Sequence, residues 1–274
     1  MKRSFFAIAA LVVGAGANAQ TNVNVAHLAP FDSSVANTAV SVDLDSTPVP
    51  ALDGVVFNQV SGYLQTAPAG TAPGVTQIDV RNPPGGAIAI SASPVLAADT
   101  DYTVAAIGNV VNQPLELLPL VDDLTPPTAG NVKLRVVHAA PFADTLGATE
   151  VSIRLQNGTV VNGLTNVPYK GDSGFLDLPE GSYDLVVATP DGSANLIDPL
   201  PVTLNAGDIV TVFAVGDGAN QPLGITAVFG DGSFASLPLA GEGPDSAQSI
   251  PTLGNIGIMI LMLVVGLVAW RRLI

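Results

Sequence analysis

Two hydrophobic patterns divide this chain. Between residues 20 and 249 apolar and polar positions alternate in short runs, the period of a half-buried β-strand. In Val151-Ser152-Ile153-Arg154-Leu155-Gln156 the apolar side chains fall on one face, and Asn157-Gly158 after it suits a tight hairpin turn. Val132, Leu134 and Val136 alternate with Lys133 and Arg135 in the same way, predicting one apolar and one polar face. Tyr183 to Ala188 reads as another strand, closed by Pro190-Asp191-Gly192. Asp208 to Val215 is apolar for most of its length, which predicts a central place in a sheet. No long helical period interrupts these runs.

The alternation stops at Ile250. From there to Trp270 the chain carries no charge for 21 residues, enough for a helix of about 30 Å, the thickness of a bilayer's hydrocarbon core. Arg271 and Arg272 follow and favour the cytoplasmic side. The segment 250–274 is therefore expected to be membrane-held through one transmembrane helix. At the other end Lys2 and Arg3 precede an apolar run, Phe5 to Val13, and the small-x-small triplet Ala17-Asn18-Ala19. That is the pattern of a signal peptide, 1–19, removed by signal peptidase after Ala19. The chain has no cysteine, which excludes a lipid-modified N-terminal cysteine and any disulfide.

The segment 20–249 repeats itself. His27-Leu28-Ala29-Pro30-Phe31 returns as His138-Ala139-Ala140-Pro141-Phe142, a shift of 111. Val40 to Leu44 returns as Val151 to Leu155, and Pro68-Ala69-Gly70 as Pro179-Glu180-Gly181, at the same shift. Pro83 and Gly85 match Pro190 and Gly192, and Asn112-Gln113-Pro114-Leu115 matches Asn220-Gln221-Pro222-Leu223, at shifts of 107 and 108. Small changes of offset fit loop insertions between strands of fixed order. Two copies are expected at 20–124 and 131–238, joined by a short Pro-rich linker, 125–130, with a polar stretch 239–249 before the apolar end. About seven or eight short strands per copy suit a sandwich. The predicted fold is all-β: two tandem antiparallel β-sandwiches, Ig-like or transthyretin-like in shape, plus one C-terminal transmembrane helix.

Charge narrows the partners. All 23 acidic residues but only five of the nine basic ones lie in 20–249, a net charge of −18. Such a surface disfavours nucleic acid and anionic lipid.

Two resemblances add to this. Ile250-Pro251-Thr252-Leu253, the following Gly257, the apolar run and the basic pair Arg271-Arg272 resemble the IPTL-CTERM class of bacterial protein-sorting signals. The Trp common shortly after that motif is here Ile256. The resemblance implies a precursor held in the inner membrane and passed to the surface by an exosortase-like transpeptidase. The strand, His-x-Ala-Pro, Val-rich strand and Pro-x-Gly turn resemble the domain-of-unknown-function 4397 family, through His27, Ala29, Pro30, His138, Ala140 and Pro141. That family occurs in secreted and surface-attached bacterial proteins, often in tandem. It implies a fold and no activity.

Catalytic chemistry finds little footing. Gly171-Asp172-Ser173-Gly174 is similar to a serine-protease nucleophile loop, but Phe175 stands where a glycine belongs, and the first copy offers only Gly62-Tyr63 nearby, so Ser173 reads as unrepeated. A serine nucleophile also needs a histidine base, and His27 and His138 are the only histidines. Each ends a strand before a Pro-containing turn, where an imidazole can bond backbone groups. A zinc site lacks further Cys or His ligands. Asp43, Asp45, Asp122, Asp123, Asp217 and Asp231 leave weak calcium binding open, without any EF-hand or nonapeptide pattern. No catalytic residue, cofactor site or metal site is assigned. The function expected is that of a non-catalytic surface or matrix protein whose domains act as spacers or bind surface polysaccharide or an envelope protein. The alternatives are an envelope-acting hydrolase and a carbohydrate-binding module, for which Tyr63, Tyr102, Tyr169 and Tyr183 are the few usable aromatics.

Overall fold

The computed structural model describes residues 21–65, 77–97 and 99–240. The expected signal peptide and transmembrane segment lie outside these residues. Among the described residues no helix is long and apolar enough to cross a membrane.

The first copy contributes β1 (Asn22–His27), β2 (Val40–Leu44), β3 (Thr47–Val55), β4 (Gln59–Gln65), β5 (Ile78–Asn82), β6 (Ala87–Ala92), β7 (Asp101–Ile107) and β8 (Glu116–Asp122). They form two sheets, ordered β4-β1-β7-β8 and β3-β2-β5-β6. The second copy contributes β9 (Asn131–His138), β10 (Ser152–Leu155), β11 (Asp172–Pro179), β12 (Gly181–Tyr183), β13 (Leu185–Ala188), β14 (Asn195–Ile197), β15 (Val202–Leu204), β16 (Ile209–Val215), β17 (Gly224–Phe229) and β18 (Phe234–Leu237). These make a sheet β11-β9-β16-β17-β18, a sheet β10-β13-β14 and a ribbon β12-β15.

The described body is all-β, as expected, but its sheets are not purely antiparallel. β1 runs parallel to β7, and β9 parallel to β16, in matching registers. Side-chain alternation has the same period in either ladder, so it carries no sign of direction. A parallel pair needs a long return path, and here five strands intervene between β1 and β7. β16 lies inside its sheet between β9 and β17, where its apolar run belongs. The expected strand from Tyr183 to Ala188 is instead cut at Asp184: β12 joins the ribbon and β13 joins β10. The turn at Asn157-Gly158 closes by Leu155 N–H donating to Thr159 O at 2.8 Å, with Gly158 at φ +84°.

Each copy packs its two sheets around an apolar layer. Val23, Val104 and Ala106 meet Val42, Ile78 and Val80 in the first. Ala214 and Ile225 meet Ile153, Val187 and Ile197 in the second. A third layer joins the copies. Ala26, Val60, Ala105 and Ile107 pack with Val137, Phe213, Val215 and Val228 in one cluster. The sheets containing β1 and β9 are therefore covered on both faces, and the molecule has four layers.

This third layer overturns the reading of β9 as half solvated. Lys133 and Arg135 point away from their own sandwich, yet both are buried, Arg135 to 2% exposure. Their face meets the first copy instead of water. Arg135 Nη2 donates to Asp122 Oδ1 at 2.5 Å, its Nη1 donates to Val121 O at 2.7 Å, and its Nε donates to Thr211 Oγ1 at 3.1 Å. Phe175 lies 4.5 Å from the guanidinium carbon, a cation–π contact. Tyr63 and Thr103 hydroxyls donate to the other Asp122 oxygen, at 2.8 and 2.7 Å. The charges are thus neutralised and most of their hydrogen-bonding capacity is used, the condition under which a buried pair is tolerated.

Removing one partner leaves the other charge buried. Arg135→Met is expected to destabilise the protein by about 3 kcal/mol or more, read as a lower urea midpoint by circular dichroism. Arg135→Met with Asp122→Asn should recover part of that loss.

Candidate functional site

The repeated residues are best followed from the ends of the parallel strands. β1 and β9 end in His27 and His138. His27 Nε2 lies 2.8 Å from Thr38 O, and His138 Nε2 lies 2.8 Å from Thr149 O. Each acceptor closes a short 3-10 turn eleven residues on. The same threonines accept, through Oγ1, the N–H of Phe57 and Tyr169 at 2.7 and 2.9 Å. Each histidine therefore ties its strand end to a turn, and the threonine ties that turn to the approach to β4 in the first copy and β11 in the second. Phe31 and Phe142 stack on the two imidazoles at 5.8 and 5.6 Å. Burial lowers both histidines from 6.5 to about 4, opposed only by the backbone bond. A neutral imidazole whose Nε2–H donates to a carbonyl is the species this geometry holds.

Ala29 and Ala140, buried at 1% exposure, leave room for a second device. Pro30 O and Pro141 O are acceptors for the opposite copy. Asn220 Nδ2 donates to Pro30 O at 3.0 Å, and Asn112 Nδ2 donates to Pro141 O at 2.9 Å. Gln221 Nε2 donates to Asp32 O at 2.7 Å, and Gln113 Nε2 donates to Ala143 O at 2.9 Å. The repeated Asn-Gln-Pro-Leu of each copy thus grips the repeated His-x-Ala-Pro-Phe turn of the other. At the centre Asn109 Nδ2 donates to Asp217 Oδ2 at 3.0 Å, and the two occupy equivalent positions at a shift of 108. Burial works against the Asp217 carboxylate, but N–H groups of Gln221, Asn220 and Ala219 and the Asn109 amide hold its pKa below the ordinary value.

These loops require glycine. Gly108 and Gly216 have φ of +96° and +84°, and a Cβ there would stand 2.0 Å from Pro114 O and 1.9 Å from Pro222 O. The sequence carried a signal for this loop pair in its 108-residue repeat. It carried none for the crossing of the contacts between copies.

Ser173 is repeated after all. Its hydroxyl accepts Val136 N–H at 2.9 Å and donates to Gly174 O at 2.7 Å. Ser61 does the same with Val25 N–H and Gly62 O, at 2.9 and 2.6 Å. Both sit at register shifts of β4 and β11 against β1 and β9. One extra residue in the second copy, between Thr149 and Tyr169, moves the match to a shift of 112 and hides it from a rigid 111-residue comparison.

The remaining candidates are placed singly. Among the described residues no group of three or more His, Asp and Glu side chains is arranged to hold a metal. Asp43 accepts from Arg81 at 2.7 Å, Asp123 from Lys133 at 2.8 Å, and Asp231 from Ser233 at 2.6 Å. Asp45 accepts Gln77 N–H at 2.9 Å. Of the tyrosines, Tyr63 bonds Asp122, Tyr102 accepts Ala97 N–H at 3.0 Å, Tyr183 donates to Pro179 O, and Tyr169 is buried. Ala17, Ala19, Ile250, Pro251, Thr252, Leu253, Gly257, Arg271 and Arg272 lie outside the described residues.

A family model described as a domain of unknown function, DUF4397, matches residues 21–149 and 145–233. The chain belongs to the DUF4397 family. A second model, the IPTL-CTERM motif, matches residues 248–273. That motif is a C-terminal sorting signal and points to an exported, cell-surface-directed protein, while DUF4397 assigns no specific function. No curated protein matches the chain. Within these DUF4397 repeats, the two histidines and the Asn-Gln-Pro-Leu loops are both engaged in joining strand ends, turns and copies.

Two outcomes follow. Each histidine is neutral when folded, and its pKa lies below the unfolded value of 6.5. Its stabilisation is full above pH 6.5 and is lost as pH falls toward about 4, by about 3 kcal/mol per histidine. Urea midpoints should fall across that window, and His138→Gln should flatten the fall. Separately, Asn220→Ala leaves Pro30 O without its donor, an expected loss of about 1–2 kcal/mol in urea unfolding, whereas Asn205→Ala on an exposed turn should change little.

Proposed function

We propose that this DUF4397 protein is exported, held in the inner membrane by its apolar C-terminal segment, and released to the cell surface by an exosortase-like transpeptidase. There its body acts as a non-catalytic spacer or interaction unit for surface polysaccharide or an envelope protein. The IPTL-CTERM match at 248–273 carries this reading. It is supported by the charge-free run from Ile250 to Trp270, the paired arginines after it, and the signal-peptide pattern of 1–19. A spacer role is supported by the four-layer packing: a body whose two copies share one core transmits position without a hinge. The engagement of the histidines, Ser173, Tyr63, Tyr102 and Tyr183 in internal bonds supports a non-catalytic role.

The test is the intact mass of the protein recovered from its own cells, with cell fractionation. Loss of 1–19 and of the tail beyond the Ile250-Pro251-Thr252-Leu253 region is expected in surface material. Pro251→Ala combined with Thr252→Ala should accumulate a membrane-bound, tail-bearing form. A soluble cytosolic product of unprocessed mass would overturn the reading.

A further inference from the structure

The two copies differ most in the stretch that follows β2 and β10. In the first, β3, nine residues long, pairs with the five residues of β2 through two register shifts and sends Leu52 and Val55 into the core. Among the described residues, an apolar space of about 30 Å³ lies between its two sheets. In the second copy the corresponding stretch, at a shift of 111, forms no strand. Asn162, Gly163 and Asn166 all take left-handed backbone conformations. Isolated bridges, Arg154 to Val160 and Val151 to Val167, hold the stretch in place, as do two backbone bonds of Ile153: its N–H donates to Leu164 O and its carbonyl accepts from Val161 N–H, both at 2.9 Å. Val161, Leu164 and Val167 lie against the core. Beside this irregular stretch lies a cavity of about 260 Å³, walled by it and by residues of β9, β10, β11, β12 and β13. A further apolar space of about 60 Å³ adjoins it deeper between the sheets, sharing Leu134, Val136, Ile153 and Leu185 as walls.

The lining states the chemistry of what fits. No charged side chain faces the cavity, and Asn162 and Tyr183 are its only polar side chains. Tyr183 already spends its hydroxyl on Pro179 O. There is no cation to hold a carboxylate or phosphate inside. Valine and leucine walls on both sides favour methylene groups, which gain contact and lose water on entry. The two spaces share walls, so their apolar linings are continuous and an aliphatic chain can extend from one along the other. Own-chain filling by the adjoining stretch is disfavoured: residues 240–249 are polar and rich in Gly and Ser.

We propose that the second repeat binds one unbranched aliphatic chain in this cavity, with any polar head left at the Asn162 rim. The first repeat, whose described apolar space is about 30 Å³, does not. The lining residues belong neither to the 248–273 motif nor to the contacts between copies.

The test uses the full chain in phosphatidylcholine nanodiscs with two photoreactive probes. One is dodecanol carrying an alkyl diazirine; the other is phosphatidylcholine with the diazirine in its acyl chain. After irradiation, cross-linked peptides are mapped by mass spectrometry. Cross-links are expected in 153–164 and 176–185, at least tenfold above the first-copy peptides containing β2, β3 and β5, and suppressed by unlabelled dodecanol. Labelling by dodecanol alone identifies a free chain as the ligand; labelling by both probes identifies a lipid acyl chain as well. Filling the space with Leu164→Trp, or from the opposite wall with Ile153→Phe, should cut the labelling about tenfold while circular dichroism stays unchanged. Equal labelling of the two copies, absence of labelling at 153–164 and 176–185, or full labelling in a folded filled variant would each overturn the proposal. Should both variants unfold, the wild-type map and its competition decide alone.

Discussion

The guanidinium of Arg135, almost wholly removed from water, sits between the two repeats, and what surrounds it must answer its charge. Asp122 supplies the counter-charge from the last strand of the first copy, and Tyr63 and Thr103 supply the donors that the carboxylate still needs. Pulling the copies apart would expose an apolar layer and separate this pair in one step. The copies are therefore not beads on a string. They are bound by the same two forces that hold each sandwich together: apolar burial, and hydrogen-bonded neutralisation of the charges buried with it.

The pseudo-symmetry explains why the repeated residues recur. Asn112 and Gln113 of one copy, and Asn220 and Gln221 of the other, each complete a turn that belongs to the opposite copy. A change on one side is felt on the other side's backbone carbonyls. The histidines bracket the segments that present those carbonyls, joining the strand end before each to the 3-10 turn after it. A buried neutral imidazole is suited to this because it offers one N–H and no charge to desolvate.

Departures from the symmetry are equally informative. Asn24 stands at the position of Arg135 and is fully buried with neither side-chain polar atom partnered, while Gly230 stands at the position of Asp122. The ionic half of the interface is thus built once. The stretch after β10, which is irregular where the first copy has β3, is a second asymmetry, and a cavity of about 260 Å³ lies beside it.

Much of this was legible in the chain. Strand-period alternation, the five repeated islands and the turn at Asn157-Gly158 define an all-β duplicated body, because local side-chain periodicity and turn geometry are properties of neighbouring residues. The family and the sorting signal were likewise legible, since both rest on short contiguous motifs. Strand direction was not, for parallel and antiparallel ladders share one side-chain period. Nor was the fate of Lys133 and Arg135, whose polar face reads as solvent until another sheet covers it. Ser61 and Ser173 were hidden by a one-residue offset. Which copy's asparagine reaches which copy's proline is settled only when two sheets pack face to face, because those contacts join residues up to 190 positions apart that no local pattern relates.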